Sequence, residues 1–328
     1  MYTIQDVAKK AGVSVATVSR VINNSTKVSE KSRVKVEAAI QELNYQPNLL
    51  GRNLRRSETK KILVLLPTLA SGFYSKVIKG MDHVASDHGY KLMMSTTRMK
   101  KDKEEGYLEL LKTKLVDGVI FTRPVIGADE LTQYSRQFPI VQCCEYVEGA
   151  KVSSVSINDE LAGYEAVKYL IKSGHKRIAI LTCSADISSR LRLKGYKKIL
   201  TENNIPIREE YIKDTNYSFK TGIEVTKQLF DLEEPPTAIF TVSDSLAIGA
   251  MKSLYSINKT PGSDVAVIGF DNTEIAAMYH PTLSTVAQPR YELGRMAMEL
   301  LISTIKSGEY NEITHMRLNH ELIIRESS

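Results

Sequence analysis

The chain has few cysteines and no long apolar run. Two of its three cysteines, Cys143, Cys144 and Cys183, are adjacent, a pattern that does not suit a disulfide framework, so we interpret all three as buried free thiols. No apolar run approaches the roughly 18 residues that a membrane-spanning helix needs. The amino terminus also lacks the cationic and then apolar pattern of a signal peptide. The sequence therefore predicts a cytoplasmic protein.

Common catalytic motifs are missing as well. We find no G-x-S-x-G elbow, no G-x-x-x-x-G-K-[ST] loop and no H-E-x-x-H. The six histidines show no convincing ligand spacing, since His83 and His88 are five residues apart and fall on different faces of a helix. The sequence therefore predicts no catalytic residue, no metal site and no cofactor.

Positive charge, by contrast, is concentrated at one end of the chain. The 328 residues carry a net charge of +6, but residues 1–61 alone contain twelve Lys or Arg against five Asp or Glu. The remainder has 32 basic and 33 acidic residues. This asymmetry is typical of a module that neutralises phosphates joined to a body that does not contact nucleic acid.

The stretch from Thr3 to Asn24 predicts two short helices. Ile4, Val7, Ala8 and Ala11 follow helical spacing, with Thr3 as the N-cap. Gly12 breaks that helix, and Ser14 can cap a second one. Two short helices joined by a tight glycine turn form a helix-turn-helix.

The outward positions of the second helix suggest DNA recognition. If Val18, Val21 and Ile22 point inward, the residues that point outward are Val15, Ala16, Ser19 and Arg20. In a major groove a small apolar side chain contacts thymine methyl groups, and arginine bonds guanine O6 and N7. Thr17 and Asn23 are placed to hold phosphates. The open alternative is a surface helix pair with scattered cations.

The next segment predicts a third helix and a linker. Ser29 is a candidate cap, and the helix should end before Pro47. Residues 47–61, with leucines and several arginines, form too short a stretch for a stable isolated helix. We interpret them as a linker that becomes helical on DNA.

From Ile62 onward, apolar strands alternate with amphipathic helices. One series starts with the strand at 62–67 and a second begins near Val155. Continuous Val/Ile/Leu strands separated by helices indicate parallel sheets covered on both faces. The predicted fold is a small all-α helix-turn-helix headpiece followed by an α/β core of two doubly wound parallel-sheet lobes, with a ligand cleft at the strand carboxyl ends.

Polar and aromatic residues follow those strand ends. They are Phe73, Tyr74, Glu145, Arg190, Arg192, Ser243, Asp244, Asp271 and Asn272. Arginine donors, aspartate acceptors and aromatic faces suit a polyhydroxylated or heteroaromatic molecule. We expect Asp244 to cap a helix and Asp271 to contact the ligand.

These motifs resemble the LacI/GalR family of bacterial transcription repressors over the whole chain. The resemblance is carried by the amino-terminal motif, SRLRLKGY at 189–196, VSDSLAIGAM at 242–251, VIGFDNT at 267–273 and HPTLSTVAQP at 280–289. It implies a homodimer on a palindromic operator and a core like periplasmic sugar-binding proteins. The implied domains are a headpiece at 1–46, a hinge at 47–61 and an effector-binding and dimerisation core at 62–328. Lobe 1 would span about 62–157 and 289–328, and lobe 2 about 158–288.

The resemblance also implies site residues. Those for DNA are Thr3, Val15, Ala16, Thr17, Arg20, Asn23, Arg55 and the minor-groove wedge Leu54. Those for an effector, expected to be a sugar or sugar phosphate, are Phe73, Glu145, Arg192, Tyr217, Ser243 and Asp271. Two departures from the family pattern are Gly51 in the hinge, where Ala is usual, and Ser243, where the lactose repressor has Asn.

Two alternatives remain open. Tyr291 resembles the catabolite control subgroup, which answers to a phosphoprotein corepressor, but Glu299 and Glu321 stand where that subgroup uses arginines, and a carboxylate repels phosphate. The alternative from another class is an enzyme with a fused DNA-binding head. The effector's identity, the sign of the response, the target genes, the operator sequence and any assembly beyond a dimer do not follow from the sequence.

Overall fold

The computed structural model describes residues 2–23, 25–45 and 58–328. The chain divides into two compact units, Met1–Thr59 and Lys60–Ser328. The predicted hinge positions Gly51, Leu54 and Arg55 lie outside the described residues.

The first unit contains three helices, each started by a side-chain cap. They are α1 (Ile4–Ala11), α2 (Val15–Ile22) and α3 (Glu30–Glu42). At each helix start a side-chain oxygen accepts a backbone N–H, and this oxygen belongs to Thr3 at α1, Ser14 at α2 and Ser29 at α3. The Asp6 side chain also accepts the N–H of Thr3, which completes a capping box. Gly12 ends α1 at φ +64°, which produces the tight turn before α2. The shared core consists of Val7, Ala8, Ala11, Val18, Val21, Val36 and Ala39.

The second unit begins with a parallel α/β lobe. Its elements are β1 (Lys61–Leu66), α4 (Phe73–Asp87), β2 (Lys91–Thr96), α5 (Lys101–Lys112), β3 (Gly118–Phe121), α6 (Ala128–Ser135), β4 (Ile140–Cys143) and β5 (Ser154–Ile157). The central strands are buried along their whole length. Helices on both faces of the sheet account for that burial.

The chain then crosses into a second lobe. Its elements are α7 (Asp159–Lys172), β6 (Ile178–Thr182), α8 (Ile187–Glu202), a 3₁₀ turn (Glu209–Tyr211), β7 (Ile212–Asp214), α9 (Phe219–Phe230), β8 (Ala238–Thr241), α10 (Asp244–Ser256), β9 (Ala266–Asp271), α11 (Glu274–Met278) and β10 (Ser284–Ala287).

The last segment returns to both lobes. Helix α12 (Arg290–Ser307) and β11 (His315–Leu318) join the first lobe, and β12 (Glu321–Ile323) joins the second. The strand orders are β11-β5-β4-β3-β1-β2 and β12-β10-β9-β8-β6-β7, and β12 alone is antiparallel to its neighbour. The two sheets confirm the predicted fold class. No helix in the described ranges is long and apolar enough to cross a membrane.

The division between the lobes differs from the predicted one at the carboxyl end. The predicted division places all of residues 289–328 in lobe 1, but β12 pairs with β10 of lobe 2. Beyond β12, Ser327 Oγ accepts the N–H of Ser284 at 2.9 Å and donates to Val267 O at 2.6 Å. The tail satisfies backbone groups of β9 and β10 in the second sheet. A strand-like pattern alone does not say which sheet such a segment joins.

Three helix pairs cross closely because each helix contributes a glycine. The glycines are Gly80 and Gly294 between α4 and α12, Gly163 and Gly195 between α7 and α8, and Gly222 and Gly249 between α9 and α10. A Cβ on Gly195 would lie 2.1 Å from Glu160 O, and one on Gly163 would lie 2.4 Å from Arg192 O. The α7–α8 contact therefore requires the absence of these side chains.

We expect Gly195→Ala to lower the melting temperature, because the added methyl group forces α7 and α8 apart. Overpacking of this kind costs about 1–3 kcal/mol. The matched control is Gly106→Ala in the middle of α5, where a Cβ would meet nothing within 4 Å. Helix propensity predicts that this control gains about 0.5–1 kcal/mol. Equal melting temperatures for the two variants would contradict the close-packing interpretation.

Candidate functional site

The second helix of the first unit exposes the residues predicted to read bases. Val15 is 39% exposed, Ala16 and Arg20 are also exposed, and Val18 and Val21 are buried against the other helices. An exposed valine on a short helix that also buries valines leaves an apolar surface beside a cation. This surface has the chemistry of a major-groove contact.

Three of the residues predicted to bind DNA, of which Thr17 and Asn23 are predicted to contact its backbone, have partners within the protein. Thr3 Oγ1 donates to Asp6 Oδ2 at 2.8 Å, and Thr17 Oγ1 lies 2.9 Å from Ser14 Oγ. Asn23 Nδ2 donates to Ser19 O at 2.7 Å. Their role on DNA remains a prediction.

A cavity of about 620 Å³ lies between the two lobes of the second unit. Its lining includes the six predicted effector residues Phe73, Glu145, Arg192, Tyr217, Ser243 and Asp271. Arg190 is not part of the lining; it is exposed and donates to Ser184 O. The structure therefore brings the predicted set together, and what the set binds stays a prediction.

Arg192 is held rigidly at the back of this cavity. Its Nε and Nη2 donate to Asp159 Oδ1 at 2.9 and 2.7 Å, and its Nη1 donates to Val242 O at 2.9 Å. The guanidinium lies 3.5 Å from the centroid of the Phe270 ring. Burial raises the pKa of Asp159, and the neighbouring Arg192 opposes that rise. These contacts fix the guanidinium plane before any ligand arrives.

Two of the polar contacts that join the lobes across the cavity are at the start of α8. Glu145 of the first lobe accepts the hydroxyl and, at 3.2 Å, the N–H of Ser188. Arg123 Nε donates to Asp186 Oδ1 at 2.6 Å. Burial, followed by the charges of Asp186 and Asp159, raises the pKa of Glu145 to about 7.

Asp271 and Asp244 have different surroundings. Asp271 lines the cavity at φ +108° and accepts from Gln288 Nε2 at 2.8 Å. Burial, followed by the charge of Asp244, raises its pKa to about 8. Asp244 instead accepts bonds from Thr273 N, Thr273 Oγ1 and Thr285 Oγ1 at 2.6–2.7 Å. Asp244 therefore serves the structure, as expected, but it stabilises the start of α11 rather than capping its own helix.

Ser243 is the residue that caps α10, since its Oγ accepts the N–H of Leu246 at 3.3 Å. A ligand that contacts Ser243 would have to bind the hydroxyl that already accepts this N–H. On the aromatic side, the Phe73 and Tyr74 rings pack edge to face at 5.1 Å. Tyr217 adopts φ +63°, and its hydroxyl lies 2.5 Å from Ser189 Oγ.

Sequence reasoning missed Arg123, Asp186, Ser188, Phe219 and Gln288 in the lining. Arg123 follows the end of β3, so the rule that selected Glu145 after β4 would also have found it. Within the described residues no group of three His, Cys, Asp or Glu side chains could hold a metal ion. Cys143, Cys144 and Cys183 are free.

We expect Asp159→Asn to destabilise the protein by about 3–5 kcal/mol, because it leaves the Arg192 charge buried without a counterion. The same two helices carry an exposed pair, Lys194 with Glu160 at 2.8 Å. Glu160→Gln should therefore cost at most about 1 kcal/mol. Denaturant unfolding of both variants measures the difference, and equal losses would contradict a special role for the buried pair.

The raised pKa of Asp271 predicts a specific pH dependence. When the pKa of an acid is higher in the folded than in the unfolded state, the free energy of unfolding falls as the pH rises from the unfolded-state pKa to the folded-state pKa. Asp271→Asn removes the group that titrates. The melting temperature of this variant, relative to that of the wild type, should therefore rise between about pH 5 and about pH 8.5.

The control is Asp214→Asn, because hydrogen bonds from Ser184 lower the pKa of Asp214. Its melting-temperature difference from the wild type should stay constant over that range, since Asp214 is charged in both states throughout. Parallel curves for the Asp271 variant and the wild type would show that Asp271 does not titrate in this range.

Comparison with known proteins matches both units. The family description "Bacterial regulatory proteins, lacI family" matches residues 3–48, and "Periplasmic binding protein-like domain" matches residues 148–328. The HTH-type transcriptional repressor CytR of Escherichia coli (strain K12) is 35% identical, over 99% of this chain and 96% of its own length. Catabolite control protein A of Priestia megaterium is 34% identical, over 99% of both chains.

A solved structure is similar to nearly the full length of the chain. The Lac repressor dimer bound to operator and the anti-inducer ONPF aligns with a TM-score of 0.88 at 29% identity, covering 99% of this chain and 98% of that chain. Its family consists of DNA-binding regulators rather than enzymes. The chain belongs to the LacI family of bacterial transcription regulators.

Proposed function

We propose that this regulator represses carbohydrate-metabolism genes as a homodimer on a palindromic operator in the cytoplasm, under control of a small effector bound between its lobes. The observation that carries the DNA-binding part is the outward face of α2. It exposes Val15, Ala16 and Arg20, while Val18 and Val21 of the same helix are buried.

Base reading falls to these three residues. Val15 and Ala16 begin α2, and the amino-terminal residues of a recognition helix are the ones that contact base edges. Arg20 is exposed on the last turn of the same helix, from which its guanidinium reaches a guanine. Thr3, Thr17 and Asn23 are proposed to contact the sugar-phosphate backbone. Leu54 and Arg55 complete the proposal on resemblance alone, because they lie outside the described residues.

The cavity supports control by a small ligand. Its volume of about 620 Å³ is that of a site for a small organic molecule. It combines carboxyl, guanidinium and hydroxyl groups with aromatic rings, the mixture suited to a polyhydroxylated ligand. The Lac repressor structure that this chain resembles holds both an operator and an anti-inducer.

The two interlobe contacts at the start of α8 suggest how such a ligand acts. A ligand that alters the contacts of Glu145 with Ser188, or of Arg123 with Asp186, changes the angle between the lobes. In a dimer this angle sets the distance between the two hinge segments, and only one distance lets both bind DNA together. A coupling of about 1–3 kcal/mol is enough to change operator occupancy several-fold.

A phosphoprotein corepressor fits the surface less well. Glu299 is in an ion pair with Arg295 at 2.5 Å, and Glu321 is exposed on β12. Both carboxylates stand where the catabolite control subgroup uses arginines, and they disfavour a phosphorylated partner.

We expect Arg20→Ala to weaken sequence preference while leaving salt-sensitive binding to random DNA, because it removes one base contact and leaves most phosphate contacts. The preferred operator is first selected by the wild-type protein from a random duplex pool. Affinities for that operator and for a scrambled duplex are then measured over a salt series, with an expected operator loss of about 1–3 kcal/mol.

The control is Lys252→Ala, which removes an exposed cation from the core and should leave both affinities unchanged. If Arg20→Ala weakened operator and scrambled DNA equally, Arg20 would be a phosphate contact and the base-reading assignment would fail.

A further inference from the structure

The charges around the cavity restrict what it can bind. Among the described residues that line it, two are cations, Arg123 and Arg192. Arg123 is paired with Asp186 at 2.6 Å, and Arg192 with Asp159 at 2.7 Å. Proteins bind phosphate groups through free cations or bidentate guanidinium contacts. Here each guanidinium is already neutralised by a carboxylate.

Carboxyl groups outnumber these cations in the lining. Four are present, on Glu145, Asp186, Asp271 and Glu274. Glu274 is balanced by Lys76 at 3.0 Å, and Asp186 by Arg123, but Glu145 and Asp271 have no ion-pair partner among the salt bridges of the described residues. A phosphate dianion placed in the cavity would therefore lie beside unbalanced carboxyl groups.

The raised pKa values of the same two groups favour hydroxyl ligands. The pKa of Glu145 is about 7 and that of Asp271 about 8, both raised mainly by burial. Near neutral pH each is present partly as the neutral acid. A neutral carboxyl group both donates and accepts hydrogen bonds, and a hydroxyl ligand offers both in return.

One feature of the lining attracts anions. Helix α4 begins at the cavity with Gly72 and Phe73 and has no side-chain cap. A helix N-terminus carries about half a positive elementary charge, and no unpaired cation among the described lining residues adds to it. The corresponding end of α8 is already occupied by Glu145.

We propose that the effector is an uncharged polyhydroxylated molecule, and that its phosphorylated form is rejected by the carboxyl groups of the cavity. This inference rests on the proposed role of the cavity as the effector site. Phe73, Tyr217 and Phe219 supply the apolar surfaces for a ring. A free sugar and a nucleoside share this chemistry.

Isothermal titration of the full-length protein near neutral pH tests the proposal with matched pairs. The sugar pairs are D-ribose with ribose 5-phosphate and D-glucose with glucose 6-phosphate. The nucleoside pairs are adenosine with AMP and cytidine with CMP. We expect at least one neutral compound to bind, and its phosphorylated partner to bind at least about tenfold more weakly. Whether binding is observed for a sugar pair or for a nucleoside pair identifies the effector as a sugar or as a nucleoside.

Two variants test the cause of the rejection. Asp271→Asn and Glu145→Gln each remove an acidic group that has no ion-pair partner among the described residues. Both should therefore narrow the ratio between the affinities for the neutral and the phosphorylated compound. The matched control is Glu224→Gln on α9, an exposed carboxylate outside the lining, which should leave the ratio unchanged. An unchanged ratio in both cavity variants would overturn the electrostatic explanation.

The remaining outcomes separate the two proposals. A phosphorylated compound that binds as tightly as its neutral partner, or more tightly, overturns the neutral-ligand inference and leaves the effector site in place. Silence from all four pairs counts against the cavity as a site for such an effector, and the inference fails with it.

Discussion

The ion pair between Arg192 and Asp159 determines how the second lobe presents its ligand site. A buried guanidinium is tolerated only when its charge and its hydrogen-bond donors are satisfied. Asp159, Val242 O and the face of Phe270 do this together. The pair also joins α7 to α8, which approach closely enough only because Gly163 and Gly195 have no side chains. Helix packing and the chemistry of the proposed ligand site therefore depend on the same few residues, and their contacts are in place without a ligand.

In the proposed mechanism, helix α8 is the element that links ligand binding to the geometry of the lobes. Its body carries Arg192 and packs on α7, and its first turn receives Glu145 and Arg123 from the first lobe through Ser188 and Asp186. A ligand that contacts Arg192 lies within the same cavity as these interlobe contacts. Binding there and rearrangement of the lobes thus act on one helix, as an allosteric core requires.

Local patterns in the sequence predicted much of this arrangement, whereas pairings distant in the chain escaped them. The first core strand, predicted at 62–67, is observed at Lys61–Leu66. Residues after strand ends meet in the cavity because parallel strands end at one edge. Asp159 was not predicted, since it is 33 residues from Arg192 and no spacing rule joins the two. The transfer of β12 to the second lobe was missed for the same reason. Ser243 was predicted as a ligand contact, and nothing in its type distinguishes that role from the cap it forms.

The same ambiguity affects the DNA-binding unit, where the residue types that cap helices also bind phosphates. Counting hydrogens separates the candidates. Thr3 uses its only hydroxyl hydrogen on Asp6, so it cannot donate to a phosphate without giving up that bond. The hydroxyls of Ser14 and Thr17 share one hydrogen between them, which leaves one for DNA. Asn23 donates one of its two amide hydrogens to Ser19 O and keeps the other. At Thr17 and Asn23 the cap hydrogen bond orients the side chain and leaves a hydrogen available. These two residues are therefore better suited than Thr3 to bind the phosphate backbone.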